Sequence, residues 1–336
     1  MSVVSGAALR RLACAAAMAL LPAAPLLAQD ASLRLINEYP ATSITAAADL
    51  RFAASVASLS KGQLSVATLQ EAANPYKGKR QVEAVGAGEV EGGTLFSGIL
   101  GASDPFFLLS SLPFMVDDFK QARALFDCTR PALQRHLAAL NLRLLYATPW
   151  PPSGIWSAAP LPDAAALKAL SIRTYDDNSQ GVFRRLDARS VNLPFSAVGP
   201  KLASGELNAV LSSGDGGAGN RLWEHLNNFT AISYAIPLSY TVINADAWNK
   251  LTPAQQAVLE QAAQATDEAS WAIVGKRIQE NYARMSEHGM HLNLQPAEDV
   301  RRALRQAGRE QSDGWWLQQD SDRAIRNSCM PAAHAG

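Results

Sequence analysis

The sequence predicts an α/β protein of two lobes, built from mixed sheets flanked by helices. Three observations carry that expectation. Strand and helix patterns alternate in two successive sets, a proline-rich stretch separates the sets, and one helix is too long to belong to either alone. At 336 residues the chain also exceeds what a single hydrophobic core usually organises.

The first set opens with a strand at Leu33-Arg34-Leu35-Ile36, followed by Asn37, Glu38, Tyr39 and Pro40 at its carboxyl end. Apolar spacing from Ala46 to Ser60, closed by Gly62, reads as a helix. Alternation over Leu64–Leu69 gives a second strand. A basic turn at Pro75–Arg80, a short helix at Gln81–Gly88 and a strand through Thr94-Leu95-Phe96 follow. This order implies a largely parallel sheet with helices on its faces.

Pro149-Trp150-Pro151-Pro152-Ser153-Gly154 interrupts the pattern, because its prolines fix the backbone and remove hydrogen-bond donors. It reads as a crossover between lobes. The second set has strands at Leu170–Thr174, Ser190–Leu193 and Ala209–Leu211, with helices at Ser179–Leu186 and Val198–Ser204 between them. Gly214–Gly219 reads as a flexible loop.

Thr252-Pro253-Ala254-Gln255 is a capping-box start with proline at the first helical position. The helix it opens runs to Gly289, about 36 residues or about 54 Å. Gln261, Gln264, Thr266 and Asp267 break any heptad seam, so the helix is expected to cross both lobes rather than form a coiled coil.

Composition narrows the function. Apolar residues make up 48% and charged residues 18%, which suits a packed protein rather than a disordered one. Lys plus Arg and Asp plus Glu are both 30, so the basic footprint that nucleic acid requires is missing. Arg10 and Arg11 precede an apolar run from Leu12 to Leu27 that contains Pro22 and Pro25 and exits at Ala28. A run of roughly 16 residues is short for a membrane span of about 20. Residues 1–28 therefore read as a secretory signal cleaved near Ala28, which implies a periplasmic protein. Cys14 leaves with that segment, so Cys128 and Cys329 remain. In an oxidising compartment they are either a disulfide or two buried thiols.

The chemistry-bearing motifs are few. The chain has no Gly-x-Ser-x-Gly elbow, no His-Glu-x-x-His and no P-loop. Gly86-Ala87-Gly88 with Gly92 has the wrong spacing for a dinucleotide loop. His288 and His291 gather no further metal ligands, and a solvated helix end accounts for them. No cofactor and no metal are expected. Asp117-Asp118 and Asp176-Asp177 read as caps or turn residues. Arg173 differs, because it lies near the carboxyl end of a central strand, where open α/β sheets bind ligands. A guanidinium there can hold a carboxylate through two parallel hydrogen bonds, or it can pair internally with Asp176, Asp177 or Asp187.

Leu108-Leu109-Ser110-Ser111-Leu112-Pro113-Phe114, Leu167-Lys168-Ala169-Leu170-Ser171-Ile172-Arg173, and Val242-Ile243-Asn244 with Trp248 and Leu251 occur in this order ahead of the long helix. Together they resemble the extracytoplasmic solute-binding subunits of tripartite ATP-independent periplasmic (TRAP) transporters, in the C4-dicarboxylate-binding group. The resemblance spans nearly all of the chain after residue 28. It implies a two-lobed, type II-like periplasmic solute-binding fold: residues 29–150 with 239–278 in one lobe, 151–238 with 279–336 in the other. It implies a hinge between them, and delivery of a small organic acid to small and large membrane subunits for ion-coupled uptake. It also implies that Arg173 is the arginine that pairs with the carboxylate.

The sequence departs from the family pattern in two places. Ala169 replaces the usual glycine. The usual Asp-Gly-x-Glu-Asn is absent, and the supporting asparagine falls near Ser213, with Ser212 beside it. A shorter hydroxyl there argues against the usual C4-dicarboxylate or a sialic acid. Further pocket candidates rest on position. Trp150 either stacks on the ligand or packs the hinge, and Phe195 either walls the pocket or packs the core. Tyr39 offers a hydroxyl. Glu71 lines the site or pairs with Arg80, and Asp215 lines it or only turns the glycine loop. The alternative function is an exported hydrolase or lyase on a similar scaffold. That reading needs a nucleophile–base or acid–base set, and none is legible.

Overall fold

The computed structural model describes residues 31–318 together with Ile325, Ser328 and Cys329. The expected signal at 1–28 lies outside the described residues. The first half of the chain forms β1 (Ala31–Asn37), α1 (Ile44–Leu59), β2 (Leu64–Gln70), α2 (Lys79–Gly86), β3 (Gly92–Phe96), α3 (Ser97–Leu100), α4 (Phe119–Ala139) and β4 (Leu142–Pro149). The second half begins with β5 (Ser153–Ser157), β6 (Ser171–Thr174), α5 (Asp177–Arg185), β7 (Arg189–Asn192), α6 (Val198–Ala203), β8 (Ala209–Ser213), α7 (Gly214–Gly219) and β9 (Asn228–Thr230). It ends with β10 (Leu238–Asn244), α8 (Ala245–Asn249), α9 (Pro253–Glu287), β11 (His291–Asn293) and α10 (Glu298–Gln318).

These strands make two sheets, in the orders β2-β1-β3-β10-β4 and β11-β9-β5-β8-β6-β7. Within each set the pairing is parallel: β1 with β2 and β3, β6 with β7 and β8. The two strands that return from the opposite lobe, β10 and β5, run antiparallel to their neighbours and make both sheets mixed. The chain crosses between β4 and β5 and again between β9 and β10. At the crossovers the two connections hold each other, with Trp150 N–H on Pro237 O at 3.0 Å and Ser153 N–H on Ala235 O at 2.9 Å.

Alternation within the first sheet sorts its side chains onto two faces. Leu33, Leu35 and Ile243 pack on one side with Phe52, Val56 and Leu259, while Ile36, Val242 and Tyr240 pack on the other with Val85, Phe126 and Leu137. The long helix α9 is capped as its sequence predicts: Thr252 Oγ1 accepts the Gln255 N–H, and Gln255 Oε1 accepts the Thr252 N–H. Leu259, Ala262 and Ala263 of α9 belong to the first lobe's core, and Val274 and Met285 to the core built on the second sheet. One rigid rod therefore contributes to both lobes.

Three expectations need correction. Gly214–Gly219 is not a loop but the helix α7, capped by Ser213 Oγ, which accepts the Gly216 N–H at 3.0 Å. Its glycines serve close packing, since a Cβ at Gly217 would stand 2.1 Å from the Trp156 ring. Arg80 pairs with Glu89 at 2.7 Å and not with Glu71. Two further helices, α4 and α10, lie outside the expected elements. α10 packs on α5, yet its Trp315 and Trp316 lie with Leu108, Leu112 and Met115 of the first half, and Ile325 and Cys329 pack against the same cluster. Cys128 Sγ is bonded to Cys329 Sγ at 2.03 Å, with Cα atoms 5.6 Å apart.

Candidate ligand-binding site

A cavity lies between the lobes. The carboxyl ends of the parallel strands supply most of its wall, which is where open α/β sheets place ligands. Tyr39 follows β1 and Phe96 closes β3. Arg173 and Tyr175 come from the end of β6, Phe195 from the turn after β7, and Ser212, Ser213 and Gly216 from β8 and α7. The two crossovers complete it with Trp150, Ser153 and Pro237. Every one of these residues is buried.

Arg173 is the cation of this cavity. Only 4% of it is exposed, and no carboxylate of the described residues reaches salt-bridge distance from it. Its expected internal partners are engaged elsewhere. Asp176 caps α5 and accepts the Ser111 hydroxyl at 2.6 Å, Asp177 accepts the Asn192 amide at 2.9 Å, and Asp187 pairs with Lys168 at 2.9 Å. Arg173 Nε donates to Leu193 O at 2.8 Å and Nη1 to Leu211 O at 3.3 Å, while the Phe195 ring lies 5.0 Å below the guanidinium carbon. Two backbone carbonyls and an aromatic face thus fix the plane of the guanidinium without neutralising it. Burial pulls its pKa below the usual arginine value, although arginine stays protonated in proteins. The nearby carboxylates of Glu38 and Asp176 favour its charge from beyond salt-bridge distance.

The rest of the lining is aromatic wall and hydroxyl. Trp150 stands 4.7 Å from Tyr39 between ring centroids, and its indole N–H is tied to Ser239 Oγ at 2.9 Å. It is anchored in the crossover and also lines the cavity. Phe96 meets Tyr175 edge-on at 5.4 Å. Burial pushes the Tyr39 and Tyr175 hydroxyls up, so both remain protonated donors. Tyr39 is held by its own N–H on Asn37 Oδ1 at 3.0 Å. The Asn37 amide in turn rests on Asp49 Oδ2 at 2.7 Å. Ser213 Oγ is engaged as the α7 cap, and Ser153 Oγ lies 3.4 Å from the Tyr175 hydroxyl.

Two expected site residues fall outside the cavity. Glu71 is exposed in a 3-10 turn with a φ of 45°, because the chain turns outward at the end of β2. Asp215 is fully buried but faces away from the cavity, ion-paired with Arg277 at 3.1 Å. Phe96, Ser153, Tyr175, Gly216 and Pro237 were not anticipated. Phe96 and Tyr175 obey the same strand-end rule that singled out Arg173.

Two α/β lobes, two crossovers, a shared helix and a buried-walled cavity between the lobes are the architecture of a solute-binding protein. The model of the bacterial extracellular solute-binding protein family 7, DctP, matches residues 37–317, and the chain belongs to that family. This is the family that the Leu-Pro-Phe and Ile-Arg motifs resemble, and it places the protein outside the cytoplasm. No curated relative matches the sequence. Among solved structures, the chain is similar to DctP7 of Bordetella pertussis, an extracytoplasmic solute receptor binding pyroglutamic acid. The two share 22% identity with a TM-score of 0.83, over 88% of this chain and 97% of that one. A pyroglutamate-specific TRAP solute-binding protein from a marine metagenome gives 23% identity and the same TM-score and coverage. A TRAP solute-binding protein from Haemophilus influenzae with bound L-gulonate gives 16% identity and a TM-score of 0.81, over 88% of this chain and 97% of that one.

Proposed function

We propose that the protein captures a small organic acid with a single carboxylate, held by Arg173, and delivers it to the small and large membrane subunits of a TRAP transporter for ion-coupled uptake. The observation that carries this reading is the buried Arg173, with no carboxylate of the described residues at salt-bridge distance, in an aromatic-walled cavity. One cation matches one carboxylate. A second carboxylate would be desolvated against Tyr39, Phe96, Trp150 and Phe195 with no charge to meet it, a cost of several kcal/mol. The walls instead suit a compact apolar ring, and the hydroxyls of Ser212, Ser213 and Tyr39 suit a neutral polar edge. Pyroglutamate has that chemistry, and similar receptors bind it. The acid enters between separated lobes, and closure about the crossovers and α9 buries it. The leader is removed after Ala28.

The test is native mass spectrometry of the protein from a periplasmic extract, with calorimetric titration by L-pyroglutamate and by succinate. The reading expects a mature chain beginning at Gln29, a co-purified monocarboxylate, and heat with L-pyroglutamate but not succinate. Tight succinate binding would contradict the single-carboxylate assignment.

A further inference from the structure

We propose that Asp215 and Arg277 form a latch that positions the closed lobes around the solute, so that the wall of the binding cavity and the lock on the cleft are one element. The inference deepens the proposed closure and rests on it. Asp215 lies in α7 between Gly214 and Gly216, and Ser213 and Gly216 of the same turn line the cavity. Its carboxylate has no exposed surface and takes its hydrogen bonds from elsewhere in the fold. Oδ2 accepts the Ile44 N–H at 3.1 Å, and both oxygens meet Arg277 Nε and Nη2 at 3.1 to 3.4 Å. Arg277 Nη2 also donates to Thr42 O, so this one guanidinium joins α9 to both lobes.

The chemistry at Ile44 explains why closure is favoured. Ile44 is the first residue of α1, where backbone N–H groups lack helical partners. Ser43 Oγ takes the Ala46 N–H, and the first turn of α1 carries no acidic side chain. Asp215 supplies the missing acceptor and the negative charge from the opposite lobe. The surfaces around this contact already touch. A Cβ at Gly219 would stand 3.4 Å from Pro40 Cγ and 3.7 Å from Thr42 Oγ1, and one at Gly78 would stand 3.7 Å from Pro194 Cβ. Separating the lobes takes the Ile44 N–H from Asp215 and Thr42 O from Arg277. Each set of bonds therefore forms only on closure.

A cross-link reports the closed population without any solute. Thr42→Cys with Gly219→Cys places two thiols across the mouth at bonding range, and their rate of oxidation follows closure. The rate is measured in protein refolded free of co-purified acid, with peptide mapping to separate the new bridge from Cys128–Cys329. Asp215→Asn and, independently, Arg277→Met should each slow it severalfold, with thermal melts showing that the variants are folded. Equal rates in the folded variants and the parent pair would overturn the latch. A parallel measurement with saturating L-pyroglutamate addresses the solute. If the parent rate does not rise, the ligand assignment fails, while the solute-free comparison still decides the latch.

Discussion

Gly217 faces the ring of Trp156 so closely that a single added carbon would sit 2.1 Å from it. Trp156 of β5 is fully buried, and its indole N–H is committed to Ser213 O at 3.3 Å, so the ring cannot step aside. The pocket-lining helix α7 is therefore seated on β5 by the absence of a side chain. Gly275, in the exposed middle of α9, has nothing within 4 Å of the same position. Gly217→Ala should destabilise the protein by about 1–3 kcal/mol as overpacking does, whereas Gly275→Ala should stabilise it by roughly 0.5–1 kcal/mol through helix propensity. Urea denaturation of the two variants checks the pair, and effects of the same sign would contradict the packing described.

Asp49 is a fully buried carboxyl behind Tyr39. Burial raises its pKa from 3.8 to about 6, against the opposing hydrogen bonds from Thr94, Asn37 and Tyr146. The native state therefore binds this proton more tightly than the unfolded chain. The stability from this group is fully present below about pH 4 and is lost as pH rises through about 6. A rise of this size is worth about 3 kcal/mol. Burial also raises Asp176 and Asp215, so the difference between wild type and Asp49→Asn isolates the Asp49 contribution. The advantage of wild type over Asp49→Asn should shrink by about 2–3 kcal/mol between pH 4 and pH 7. A gap independent of pH would mean that Asp49 titrates as it does in water.

Cys128 and Cys329 close a loop across 201 residues and pin the end of the chain beside Trp315 and Trp316. Chain-entropy reasoning puts such a bridge at about 2–5 kcal/mol. Thiol labelling of the denatured, unreduced mature protein should find no free thiol, and reduction should lower the melting temperature by several degrees. Two labelled thiols would show that the pair is open.

The fold was legible where local chemistry decides it. The Thr252 capping box marked the start of α9, and its length together with the broken heptad seam marked its passage through both lobes. Arg173 was legible because it ends a strand, and Trp150 because prolines surround it. The glycines of α7 concealed a helix, since their low propensity is overridden by Trp156 and α9, which no local pattern reveals. In α4 the buried residues Ala122, Leu125, Phe126, Thr129, Leu133 and Leu137 keep helical spacing, but Pro131 lies among them and disguised the run. Pro237 faces the cavity through the contact between the two crossovers, which join residues far apart in sequence, so nothing nearby in sequence marks it. Glu71 failed as a site residue because strand-end position fixes where the chain leaves the sheet but not which way it turns.

The central claim is that Arg173 holds the carboxylate. Hydrogen bonds to charged groups are worth about 1.5–3 kcal/mol each, and about 1.4 kcal/mol is a factor of ten in affinity. Arg173→Lys keeps the charge but loses the planar fork that Leu193 O, Leu211 O and the Phe195 ring hold in place. Titration calorimetry with the co-purified acid, alongside thermal melts of the solute-free variants, measures this directly. Arg173→Ala should bind at least tenfold more weakly than wild type, and Arg173→Lys should fall between them. Unchanged affinity in a folded Arg173→Ala would show that the carboxylate is held elsewhere.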